Sequence, residues 1–154
     1  MTDAARQSQS SRLIVLGDVD AAGVLYFGNV FRWHEEVFTR WLAQVDVPLH
    51  GLFGTGRGLP VRSSWAEYPA SARLGETLKM TPAVTSLRDT EFVFETTWCE
   101  EVFSREVLRV STRHVACVKD EDTGFFVRTS IWPGLRKALQ TLAREAEGQC
   151  QQTS

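Results

Sequence analysis

Gly28-Asn29-Val30-Phe31-Arg32-Trp33-His34-Glu35-Glu36-Val37-Phe38-Thr39-Arg40-Trp41-Leu42-Ala43-Gln44-Val45 is the stretch on which the architecture turns. Its apolar residues Val30, Phe31, Val37, Phe38, Trp41, Leu42 and Val45 recur at helical spacing and share one broad face. Arg32, Glu36, Thr39 and Arg40 fall on the opposite face. No other segment in the first two-thirds of the chain predicts a long helix, and so wide an apolar stripe needs a sheet to cover it.

The flanking sequence supplies that sheet. Residues 12–16 read as a short strand, closed by Gly17 and followed by an irregular loop containing Asp18, Asp20 and Gly23. Beyond the helix, Gly51, Gly54, Gly56 and Gly58 mark a glycine-rich connector, and four β-type segments follow at about 59–68, 76–87, 90–101 and 106–119. The third alternates Phe92, Phe94 and Trp98 with Glu95 and Thr97; the fourth sets Leu108, Val110, Thr112, His114, Ala116 and Val118 opposite Arg109, Ser111 and Arg113. Long half-buried strands joined by short turns pair antiparallel. A short run at 125–128 leads to Pro133, which suits a helix first turn, and Leu135, Ala138, Leu139, Leu142 and Ala146 form an amphipathic closing helix. The predicted class is α+β, one antiparallel sheet wrapped around one long helix with a C-terminal helix. Residues 1–11 are expected to be a disordered polar lead-in, 12–147 a single domain and 148–154 a polar tail.

Composition removes several classes of function. The 154 residues are 43% hydrophobic and 23% charged, ordinary for a globular chain. Seventeen Lys and Arg stand against nineteen Asp and Glu, with no basic stripe, which argues against nucleic-acid binding. Cys99, Cys117 and Cys150 are odd in number and widely spaced, fitting neither a disulfide framework nor a zinc site. No segment approaches the roughly 20 apolar residues of a membrane span, and the run at 13–16 is too short for a signal-peptide core of about 7 residues or more. A cytoplasmic location is expected, with no membrane partner, no metal and no cofactor.

Chemistry concentrates in Gly17-Asp18-Val19-Asp20-Ala21-Ala22-Gly23-Val24-Leu25-Tyr26-Phe27-Gly28-Asn29, where two carboxylates sit just before the N-terminus of the apolar helix. The unpaired N–H groups of a first helical turn stabilise anions and developing oxyanions, so one reading of this placement is an acid beside an oxyanion site. The plainer reading makes both aspartates turn or capping residues. The doublet followed by Gly23 and Tyr26-Phe27 is more than a cap needs.

This motif, with Asn29 and Trp33-His34-Glu35, resembles the signature of hotdog-fold acyl-CoA thioesterases of the 4-hydroxybenzoyl-CoA thioesterase type. The form Ala-Gly-Val-Leu-Tyr-Phe with a later His-Glu is most similar to 1,4-dihydroxy-2-naphthoyl-CoA thioesterases. Leu59-Pro60-Val61, Tyr68-Pro69 with Gly75-Glu76, and Ile131-Trp132-Pro133 with Leu135-Arg136 extend the resemblance from about residue 12 to 142. The resemblance implies a hotdog fold and hydrolysis of acyl-CoA thioesters, with aromatic acyl groups expected and coenzyme A part of the substrate. It makes Asp20 the catalytic carboxylate, as nucleophile or general base, and Asp18 structural. The Phe27 N–H becomes the oxyanion donor, and Tyr26, Gly28, Glu35, Leu59 and Arg88 substrate contacts, Arg88 being a lone basic residue at its turn. It also implies a homodimer or homotetramer. The alternatives are a thioesterase for short or medium aliphatic acyl-CoA or acyl carrier protein, and a non-catalytic acyl-CoA-binding hotdog protein. A hotdog hydratase is disfavoured because the loop carries no histidine.

Other features are assigned to structure. His34 and His114 lie among apolar neighbours and read as hydrogen-bonded packing residues, and His50 falls in a loop. Gly54-Thr55-Gly56-Arg57-Gly58 follows a helix and leads to a strand, the reverse of a phosphate loop, and no G-x-S-x-G is present. Trp65, Tyr68, Phe53, Tyr26 and Phe27 either line a pocket or belong to the core, with core expected for at least half.

Overall fold

The computed structural model describes residues 10–150, with side-chain environments over 11–146. The expected lead-in up to residue 9 and the tail from 151 lie outside the described residues. The strands are β1 (Ser10–Leu13), β2 (Arg57–Gly58), β3 (Val61–Glu67), β4 (Thr77–Leu87), β5 (Glu91–Glu100), β6 (Glu106–Val115), β7 (Cys117–Lys119) and β8 (Phe126–Arg128). The helices are α1 (Val30–Gln44), α2 (Leu49–Gly54) and α3 (Pro133–Cys150), with 3-10 turns at Leu16–Asp18 and Phe27–Asn29. Five strands form one sheet in the order β1-β4-β5-β6-β3, and β2-β7-β8 form a small second sheet. β1 pairs antiparallel with β4, Ser10 opposite Met80 and Leu13 opposite Thr77. Among the described residues Ser10 and Ser11, inside the stretch expected to be disordered, are thus paired in the sheet.

The chain groups into two compact units, Met1–Val37, Trp65–Pro82 and Glu95–Ser111 in one, Phe38–Ser64, Ala83–Phe94 and Thr112–Ser154 in the other. In the first, α1 buries Val30, Trp33 and His34. The Trp33 and Trp98 rings lie 5.6 Å apart, and a buried polar knot ties His34 Nδ1 to Thr96 Oγ1 at 2.8 Å while Trp98 Nε1 donates to the same hydroxyl at 3.1 Å. In the second, the Phe38 ring packs 4.9 Å from Phe94 and 4.3 Å from His114, and Trp41 lies 5.5 Å from Phe94. His114 bonds the Thr112 hydroxyl at 2.8 Å and the Leu59 carbonyl at 3.0 Å. Burial pushes its pKa down, so the imidazole packs neutral. Both core histidines are therefore hydrogen-bonded packing groups.

Several expectations need correction. Phe31 is exposed rather than part of the apolar face, and Trp33, outside the predicted stripe, is among the most buried side chains. The glycine-rich connector contains α2 and β2. The fourth predicted strand breaks at Ala116, whose N–H goes to the Thr90 carbonyl while its own carbonyl accepts from Thr129, so the backbone changes partner there. α3 continues past Gly148 to Cys150. Trp65, Tyr68, Phe53, Tyr26 and Phe27 are all exposed. Trp65 lies on the edge strand β3, Phe53 on the short helix α2, and the other three flank the loop described next, places where no layer covers them.

Candidate active site

The loop between β1 and α1 is built around its two aspartates. Asp18 is buried: its Oδ2 accepts from the Val15 N–H at 3.0 Å, its Oδ1 meets Arg12 Nη2 at 3.2 Å, and its carbonyl accepts from Tyr26 N–H at 2.8 Å. Arg12 also reaches Glu36 Oε2 at 3.5 Å and stacks over the Trp33 ring at 4.3 Å, so Asp18 pins the loop onto α1.

Asp20 is exposed, and its carboxylate is divided. Oδ1 accepts from Ala22 N–H at 2.8 Å and Val24 N–H at 3.4 Å, which closes a turn that Gly23 completes at φ +72°. Oδ2 has no hydrogen-bond partner among the described residues. Asp20 is thus both the turn residue of the plainer reading and a carboxylate with one oxygen to spare.

The far wall comes from the segment after β3. Leu25 N–H donates to the Ala72 carbonyl at 2.8 Å and Leu74 N–H to the Gly23 carbonyl at 3.2 Å, which fixes residues 70–74 against the loop. Between them lies a cleft of about 450 Å³ whose lining includes Asp20, Phe27, Tyr68, Ser71 and Val107. Tyr68 Oη donates to the Phe27 carbonyl at 3.4 Å. At the start of α1 the first turn bond runs from Asn29 N–H to the Tyr26 carbonyl at 3.1 Å. The Phe27 and Gly28 N–H groups precede that bond and have no acceptor within the turn.

Of the other positions singled out from sequence, Tyr26 stacks on Phe27 with ring centroids 4.9 Å apart, and its ring lies over Gly28. Glu35 is exposed on α1 and does not line the cleft. Leu59 is buried in the second unit, its carbonyl held by His114, and is not a lining residue. Arg88 is not the lone cation its turn suggests. It lines a second pocket of about 570 Å³ with Arg62, Arg113, Arg128, Asp89 and Glu91. Glu91 gathers three of these guanidinium groups, Arg113 at 2.7 Å, Arg88 at 3.6 Å and Arg62 at 3.7 Å. The Arg113 hydrogen bond leads in holding the Glu91 carboxyl below its usual pKa. Four arginines against two carboxylates leave this pocket positive. No group of three His, Cys, Asp or Glu suited to a metal occurs among the described residues.

A model of the thioesterase-like superfamily matches residues 14–139 of this sequence, spanning the loop, α1, strands β2 to β8 and the start of α3. The chain belongs to the thioesterase-like superfamily. It is 32% identical over 77 residues to the acyl-CoA thioester hydrolase YbgC of Escherichia coli O6:H1, an alignment covering 50% of this chain and 58% of that protein. The 1,4-dihydroxy-2-naphthoyl-CoA hydrolase of Microcystis aeruginosa is 28% identical over 107 residues, 68% of this chain and 75% of that one. The crystal structure of a 1,4-dihydroxy-2-naphthoyl-CoA thioesterase from Synechocystis superposes with a TM-score of 0.76 at 21% identity, covering 87% of this chain and 96% of the other. That likeness, shared with other thioesterase structures, establishes the hotdog fold.

Proposed function

We propose that this member of the thioesterase-like superfamily hydrolyses acyl-CoA thioesters to the free acid and coenzyme A, with aromatic acyl groups as the preferred substrates. The observation that carries the reading is the pairing, in one cleft, of an Asp20 oxygen with no hydrogen-bond partner among the described residues and the Phe27 amide, which has no acceptor within its turn. A thioester carbonyl docked on that amide is polarised by a donor already in place, and removal of such a donor typically costs about 100-fold to 1,000-fold in rate. Asp20 then attacks the carbonyl carbon, forming an anhydride and expelling the thiolate, after which water cleaves the anhydride to release the acid and restore the carboxylate; or Asp20 takes a proton from a water that attacks the carbonyl itself and expels the thiolate. The other reading of Asp20, a turn residue alone, leaves its second oxygen without a role. The aromatic preference is supported by the naphthoyl-CoA hydrolases among the relatives and by the exposed Tyr26 and Phe27 rings beside the cleft.

The arginine pocket, which lies within the second unit, has the charge to take an anion, and planar guanidinium groups suit phosphate oxygens such as those of coenzyme A. A thiol-release assay with benzoyl-, 4-hydroxybenzoyl-, dihydroxynaphthoyl- and short aliphatic CoA esters tests the function. Asp20→Asn is expected to lower kcat by about a hundredfold or more while substrate still binds. Binding without turnover in the unaltered protein, or turnover indifferent to Asp20→Asn, overturns the reading.

A further inference from the structure

Among the described residues lining the cleft, only Asp20, Tyr68 and Ser71 carry polar side chains. Tyr68 donates its hydroxyl proton to the Phe27 carbonyl. Ser71 combines a fixed backbone with a free side chain. Its carbonyl accepts from Arg105 Nη1 at 2.9 Å, and the next carbonyl, that of Ala72, accepts from the Leu25 N–H at 2.8 Å. Its hydroxyl has no hydrogen-bond partner among the described residues. Backbone pairing decides which way that hydroxyl faces. Val19 pairs antiparallel with Leu25, which sets Asp20 opposite Val24, and Val24 pairs with Arg73. Residues opposite one another in an antiparallel pair share a side, as do residues two apart in one strand. Asp20, Val24, Arg73 and Ser71 therefore lie on one side, while Ala72 turns inward with 1% exposure.

We infer that Ser71 is a further catalytic residue of the hydrolysis, its hydroxyl holding the attacking water against Asp20. This rests on the hydrolase reading above and selects direct attack by water from its two routes. Asp20 Oδ2 accepts one hydrogen of the water and Ser71 Oγ the other, which leaves an oxygen lone pair for the thioester carbon. As the new C–O bond forms, the first proton passes to Asp20 and the carbonyl electron pair moves onto the oxygen at the Phe27 N–H. The pair then returns, the C–S bond breaks, and coenzyme A leaves as the thiolate, which takes the proton from Asp20.

Methanol separates this role from a structural one, because its single hydroxyl hydrogen serves Asp20 and leaves none for Ser71. The intact protein is given the best CoA ester from the panel in buffer containing methanol, and free acid and methyl ester are both measured. Ser71→Ala is expected to lower hydrolysis about tenfold with KM within about twofold, and to form methyl ester at the parent rate, so that the ester-to-acid ratio rises about tenfold. Ser71→Thr, which keeps the hydroxyl, is expected to hydrolyse within about threefold of the parent. Equal losses of both products would mark Ser71 as structural, and a ratio raised only by faster methanolysis would show that it merely limits space. Either result, unchanged hydrolysis in Ser71→Ala, or a threonine variant as slow as the alanine one overturns the inference. Asp20→Asn, expected to slow both products, reports separately on the hydrolase reading, and an inactive parent protein sinks both.

Discussion

Asp18 and Asp20 stand two residues apart with opposite fates, and burial separates them. Asp18 spends its oxygens on the Val15 amide and on Arg12, a cation held over Trp33 and shared with Glu36. Removing the Asp18 charge leaves a half-buried guanidinium under-compensated and weakens an anchor of the loop. Asp18→Asn is expected to lower stability by about 1–3 kcal/mol, read as a shift of the urea unfolding midpoint, while the folded fraction keeps its catalytic rate. A variant as stable as the parent would show that Arg12 and Glu36 suffice. Sequence offers both aspartates equally as turn residues or acids, because spacing alone does not say which one faces inward. The resemblance chose Asp20, and the structure adds that its Oδ1 closes the Ala22–Val24 turn.

At the scale of elements, what was legible depended on how far apart in sequence the partners lie. α1 announces itself because its buried residues recur within one segment, and β5 because Phe92, Phe94 and Trp98 alternate along it. The arginine pocket could not be read this way: Arg62 comes from β3, Arg88 from the β4–β5 turn, Arg113 from β6 and Arg128 from β8. The adjacency of β3 and β6 in the sheet, invisible in sequence order, is what joins Arg62 to Arg113. The three arginines around Glu91 are partly neutralised, whereas Arg128 shares no ion pair with it. Arg128→Ala is expected to raise KM for CoA esters about tenfold at low salt with kcat unchanged, and to leave the corresponding pantetheine thioesters unaffected. Added salt should shrink the difference between the two proteins. An equal effect on both substrate types would remove the phosphate assignment.

The whole molecule presents an exposed carboxylate, Asp20, proposed as the catalytic one, and a long strand with one side unpaired among the described residues. β1, the other edge of the five-stranded sheet, has four residues, but β3 has seven, with Val61 and Trp65 turned outward at 53% and 38% exposure. An edge of that length invites pairing with another strand, and a second copy of this chain offers an identical one. A neighbour packed along β3 would also draw water away from the cleft that Tyr68 lines just beyond that strand, where lower polarity strengthens hydrogen bonding to a bound carbonyl. The active form is therefore expected to be a homo-oligomer, a dimer or a pair of dimers, in sedimentation at assay concentrations. Val61→Lys with Trp65→Lys places like charges on both copies of the edge and is expected to yield a folded monomer, judged by circular dichroism, with kcat reduced at least tenfold. If the parent sediments as a monomer at full activity, or the monomeric double variant turns over at the parent rate, catalysis is complete within one chain and the exposed Asp20 needs no partner.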